Sequence, residues 1–193
     1  MVVTVPQVPS LKSFSNSDFP RGRSRLIEAM WIATQRLFVS SWLPGSAHRR
    51  LALRAFGAKI GRGVVIKPGV RIKFPWRLSI GQDSWIGENV WIDNLDTITI
   101  GSDCCVSQGA YLCTGSHDWG RETFDLVIRP IHIESGAWIA AQAVIGPGVT
   151  IGEGAVLGLG SVATNDLNPW TIHQGNPATP VKPRNIKKAP SQV

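Results

Sequence analysis

The chain has 193 residues, of which 43% are hydrophobic and 17% charged, and it carries a net charge of +7. That length can bury one sizeable core, and eight Trp with a low charged fraction exclude a disordered chain. No run of about 18 apolar residues marks a membrane span, and the opening MVVTVPQVPSLKSF lacks the order of a secretory signal. Three Cys, two of them adjacent at 104 and 105, build no disulfide framework, so a reducing cytoplasm is expected.

Charge divides the chain into three parts. Residues 1–59 hold nine Lys/Arg and two Asp/Glu, residues 60–180 seven and eleven, and residues 181–193 four and none. A nucleic-acid-binding domain carries its basic face on the folded body. Here the body is mildly acidic and the ends are basic, which excludes that class.

From the N-terminus, residues 26–43 (LIEAMWIATQRLFVSSWL) predict a helix with Ile27, Met30, Trp31, Leu37, Phe38 and Trp42 on one broad stripe, stopped by Pro44 and Gly45. A second helix is expected over about 47–56, ending at Gly57. Together with the preceding arm they make an N-terminal unit, 1–59. Two readings of it coexist. One is a cap over the open end of a repeat structure. The other is attachment to a membrane's inner face, with Arg21, Arg23, Arg25, Arg49 and Arg50 toward anionic lipid.

From residue 60 an aliphatic recurs every six residues in groups of three: Ile60, Ile66, Ile72; Ile80, Ile86, Ile92; Ile100, Val106, Leu112; Ile133, Ile139, Ile145; Ile151, Leu157, Ala163. Gly follows at 61, 81, 87, 101, 146, 152 and 158. A small residue sits four positions after the aliphatic at Ser84, Ala110, Ala137, Ala143, Ala155 and Ser161. Neither a helix (3.6) nor a strand (2) sustains a period of six, but a hexapeptide β-solenoid does. Each hexapeptide makes one flat side with its aliphatic pointing inward, a permissive residue turns the corner, and three sides close a coil. The groups start 20, 20, 33 and 18 residues apart, which gives about five coils over 60–168 with one long insertion, 118–132, after the third. Residues 169–193 read as a tail.

These Ile-Gly hexapeptides, the long loop after the third coil and the C-terminal GNPATPVKPR resemble the left-handed β-helix acyltransferases. FGAKIG (56–61), YLCTGSHD (111–118) and the Trp-rich helix are similar, within that family, to the colanic-acid and exopolysaccharide-biosynthesis acetyltransferases. The resemblance implies an all-β, left-handed parallel solenoid. It further implies transfer of acetyl from acetyl-CoA to a sugar hydroxyl, and a homotrimer with its sites between subunits.

Such transfer needs a base for the hydroxyl proton, and neutral imidazole suits it. His48 lies among arginines, His132 just before re-entry into the repeat, and His173 in the tail. His117 is the last residue of the third coil, where the chain leaves for the insertion, and it takes the family's catalytic position. The resemblance also places the acceptor at Asp93 and Asp96, although relatives often have Asn at the counterpart of Asp93. It runs the pantetheine arm past Ala141 and Leu159 and puts Thr164 and Asn165 at a Thr-Lys pair that reaches the coenzyme, with Asn165 lacking the charge. Lys182 and Arg184 could pair with its phosphates. A metal site would need three converging His and is not expected. The alternative function is a catalytically silent scaffold.

Overall fold

The computed structural model describes residue 8 and residues 10–187. Its body is a three-sided parallel solenoid. Side one stacks Lys59–Ile60, Leu78–Ile80, Ile98–Ile100, Ile131–Ile133 and Thr150–Ile151, and side two starts at Val65–Ile66 and side three at Arg71–Ile72. Strands pair in register, so Ile80 lies over Ile100, Ile100 over Ile133 and Ile133 over Ile151. All fifteen aliphatics of the six-residue period are buried, as are the small residues four positions later. The inner columns thus form one continuous core. Burial of such apolar surface contributes roughly 25 cal/mol per Å².

The lattice extends beyond five coils. Leu167 bridges to Ile151, and Thr171–Gly175 pairs in parallel with Val156–Leu157. His173 therefore stands over Leu157 in the side-two column and is itself buried. The chain then turns back as Ala178–Pro183, antiparallel to Thr171–Gly175, and shields that end.

The glycines that follow the aliphatics do not turn the corners. Positive φ falls two residues further on, at Gly63, Asp83, Asp103, Gly136 and Gly154. At Gly81 and Gly101 the constraint is instead contact between coils, because an added Cβ would lie 2.5 Å and 2.6 Å from backbone atoms of the next coil.

The N-terminal helices cover the first coil, but the helix expected over 26–43 is shorter and differently faced. α1 (Arg25–Thr34) continues as one π-helical turn, Gln35–Val39, and α2 spans Ala47–Ala55. Ser24 caps α1 through a bond from the Ile27 amide. Of the expected apolar stripe only Trp31 is fully buried, whereas Met30, Leu37, Phe38 and Trp42 are exposed. The physical reason is that the first coil offers an edge of unpaired backbone groups, which need polar partners. Trp31 Nε1 donates to Ile72 O, Gln35 Oε1 accepts from Ile72 N, Ser40 Oγ donates to Val70 O, Arg50 to Val64 O and Arg54 to Ile60 O. Arg49, expected at a lipid surface, is buried, and its guanidinium donates to the carbonyls of Val39, Ser41, Gly45 and Leu43. Arg21 is ion-paired with Glu28 at 2.8 Å.

Candidate active site

The insertion after the third coil leaves as a hairpin in which Gly115–His117 pairs antiparallel with Leu126–Ile128, and His117 faces Leu126. Its tip is tied by Asp118 N to Asp125 O at 2.9 Å and by Arg121 to both Asp118 and Asp125 at 3.2 Å. The arm at 10–20 lies against it, with Ser10 N donating to Glu122 O.

His117 Nδ1 lies 2.8 Å from the carbonyl oxygen of Phe124. A carbonyl only accepts, so Nδ1 donates to it, and in the neutral ring the lone pair is then on Nε2. The Phe124 ring stacks on the imidazole at 4.2 Å and 6°, and Phe14 from the arm meets it edge-on at 5.4 Å. Phe124 has φ +50°, a left-handed conformation costly for a bulky residue. That conformation belongs to the one residue that both stacks on His117 and accepts its hydrogen bond. A cavity of about 340 Å³ opens here, lined by Ser116, His117, Asp118, Trp119, Val127, Arg129 and Pro147.

Asp93 and Asp96 do not line that cavity. Their corner is tied to the root of the hairpin through Thr114, whose N and Oγ1 donate to Asp93 O while Asp96 N donates to Thr114 Oγ1. Tyr111 donates to Asp93 Oδ2 at 3.2 Å, and Asp93 Oδ1 is buried without a partner. Burial, followed by the neighbouring Cys113 and Asp93, pushes the Tyr111 phenol well above its ordinary range, so it stays a donor. Trp91 stacks on Tyr111 at 4.6 Å, and the Arg71 guanidinium lies 4.5 Å from the Trp91 ring.

A second, larger cleft of about 760 Å³ runs along the corner that follows side two. Ala141, Leu159, Lys182 and Arg184 all line it, joined by Trp138 and Gln174. Arg184 is partly engaged, since its Nη1 donates to Gly136 O and Gly154 O. Thr164 and Asn165 lie outside the cleft, exposed and within 3.4 Å of each other. The cleft and His117 occupy different corners of one prism, because His117 follows side three. Among the described residues, no three His, Cys, Asp or Glu side chains gather as metal ligands would. Burial pushes the Cys104 thiol up, so it is an unreactive packing group.

Trp138 directly precedes the inward Ile139, so the period already turned it outward into the cleft. Phe14 and Phe124 lie off the lattice, and no sequence signal tied either to His117.

The family described as bacterial transferase hexapeptide (six repeats) matches residues 130–165, and the hexapeptide repeat of succinyl-transferase matches 77–113. The colanic acid biosynthesis acetyltransferase WcaF of Escherichia coli (strain K12) is 40% identical over 176 residues, 90% of this chain and 96% of that protein. The galactoside O-acetyltransferase of the same organism is 28% identical over 146 residues, 74% of this chain and 72% of its own length. A crystal structure of a hexapeptide-repeat containing acetyltransferase from Vibrio cholerae O1 biovar eltor, complexed with acetyl coenzyme A, superposes with a TM-score of 0.76. It is 26% identical and covers 83% of this chain and 88% of its own. The solenoid is thus the left-handed parallel β-helix, and the chain belongs to the hexapeptide-repeat acetyltransferases.

Proposed function

We propose that this protein transfers acetyl from acetyl-CoA to a hydroxyl of a sugar in an exopolysaccharide precursor or similar glycan, in the cytoplasm, with His117 as general base. The observation that carries the reading is the fixed tautomer of His117 beside an open cavity. Nε2 takes the proton of the acceptor hydroxyl as its oxygen attacks the thioester carbonyl. The tetrahedral adduct then collapses by breaking the C–S bond, and the imidazolium returns the proton to the departing CoA thiolate. Asp93 and Asp96 would hold the acceptor from the corner at the hairpin's root. The long cleft suits a pantetheine chain along Ala141 and Leu159, with Lys182 and Arg184 toward the phosphates and Thr164 and Asn165 at its outer rim.

Separate corners for base and cleft favour a homotrimer in which one copy's His117 serves coenzyme held along its neighbour's cleft. Light scattering should report three chains at micromolar concentration. A monomer with full turnover would sink the shared site. The chemistry itself is tested by thiol release from acetyl-CoA with nucleotide sugars and lipid-linked oligosaccharides offered as acceptors. Acetyl-CoA at 100 times its Kd should stabilise the fold by about 2.7 kcal/mol. No stabilisation and no thiol release with any acceptor would leave the chain a silent scaffold.

A further inference from the structure

α1 is apolar on two opposite faces, and only one of them meets the solenoid. Trp31 and Val39 point toward the first coil and are buried. On the opposite side, Leu26, Met30 and Leu37 recur at helical spacing and are exposed, and Phe38, Trp42 and Leu43 extend the surface into the following turn. Trp42 is 74% exposed and Leu37 64%. An exposed apolar face of this extent marks an interaction surface.

The charges beside this surface favour an anionic cover. Arg25 and Arg36 are exposed, and among the described residues neither is ion-paired. The only acids before residue 60 are Asp18 and Glu28, and Glu28 is engaged by Arg21. A face-to-face contact with a second copy would set arginines against arginines, which costs energy, whereas anionic headgroups complement them. α1 and its π turn together span about 22 Å, too short to cross a bilayer, and no helix of the described residues is long and apolar enough to do so. An exposed indole beside aliphatics and arginines is the composition of a segment lying in the headgroup plane.

We propose that the outer face of the cap, formed by Leu26, Met30, Leu37, Phe38, Trp42 and Leu43 with Arg25 and Arg36, docks on an anionic lipid bilayer. The inference is independent of acetyl transfer. It assigns the cap two partners, the first coil within and a membrane without. The solenoid would then stand with its first coil nearest the lipid.

Flotation of the full-length protein with vesicles tests this. With about 30 mol% phosphatidylglycerol in phosphatidylcholine the wild type should float, and with phosphatidylcholine alone it should stay at the bottom. Leu37→Glu with Trp42→Glu should lower the bound fraction at least about tenfold, and each of Arg25→Glu and Arg36→Glu about fivefold or more. Both effects should leave the melting temperature near that of the wild type, since these side chains are exposed. About 0.5 M NaCl should weaken binding of the wild type. Failure of the wild type to float, equal flotation with uncharged vesicles, or unchanged flotation of the Leu37/Trp42 variant would each overturn the proposal. So would a fall in molar mass of that variant by light scattering, which would assign the face to contact between copies.

Discussion

In the stacked coils every inward aliphatic rests on its counterpart one coil away, and in-register ladders run the length of the prism. The hairpin that carries His117 is built differently. It pairs only with itself, is pinned at its tip by exposed ion pairs, and leans on the arm at residues 10–20. Loss of one side chain in the coils is felt by the whole column, whereas loss of one in the hairpin is local. Under the proposed function, stability and chemistry fall to different stretches of the same chain, as expected when a rigid scaffold presents a functional loop.

Substitutions can break that division. The largest expected effect is on rate. His117→Ala should cut acetyl transfer by about 10²–10⁴-fold while its melting temperature falls by no more than about 2 °C. Calorimetric titration with CoA should give unchanged affinity. Turnover within threefold of the wild type would remove His117 from the mechanism. The opposite pattern is expected of Ile100→Ala, which empties a slot between Ile80 and Ile133. It should cost about 2–5 kcal/mol in urea titration and leave kcat per folded molecule intact. A smaller loss, about 1–3 kcal/mol, is expected for Gly81→Ala, whose Cβ would strike Gly101 and Ser102 backbone. A neutral result would show that the coils can separate locally.

The finest distinction comes from Phe124→Gly. It keeps the carbonyl that accepts from His117, suits the positive φ, and removes only the stacked ring. Stability should hold or rise slightly, while kcat falls about two- to tenfold and KM for acetyl-CoA stays constant. Restoring a ring with Phe124→Tyr should recover most of the rate. A drop in stability without a drop in kcat would make Phe124 an ordinary packing residue.

The same division governs what could be read from sequence. Inward residues repeat because each coil presents an identical slot, so the fifteen buried aliphatics were legible from spacing alone. The insertion was legible too, but not its edges: Gly115–His117 already belongs to the hairpin, and Ile131 is already back in the lattice over Ile98, where spacing had put the break at 118–132. The Ile-Gly pairs were visible, yet their cause was not, because the closeness of neighbouring coils is a property of the stack rather than of the hexapeptide. The cap was expected, but its face was misassigned. Helical periodicity marks where hydrocarbon lies and is silent about a partner that presents bare backbone, so Trp31 acts as a donor and Arg49 as a buried clamp. His117 was singled out by its place next to the insertion, and the structure sets it within the hairpin strand Gly115–His117. Phe14 and Phe124 arrive from segments with no period, and only the folded chain brings them to the imidazole.

The in-register ladders also make the molecule a ruler. Each coil advances the axis by one strand spacing, about 4.8 Å, so the height difference between His117 at the exit of the third coil and the cleft around Ala141 and Leu159 comes in whole steps. Duplicating or deleting eighteen residues would therefore change such a height only by a whole coil. In such a solenoid reach is counted in coils rather than tuned by side-chain length.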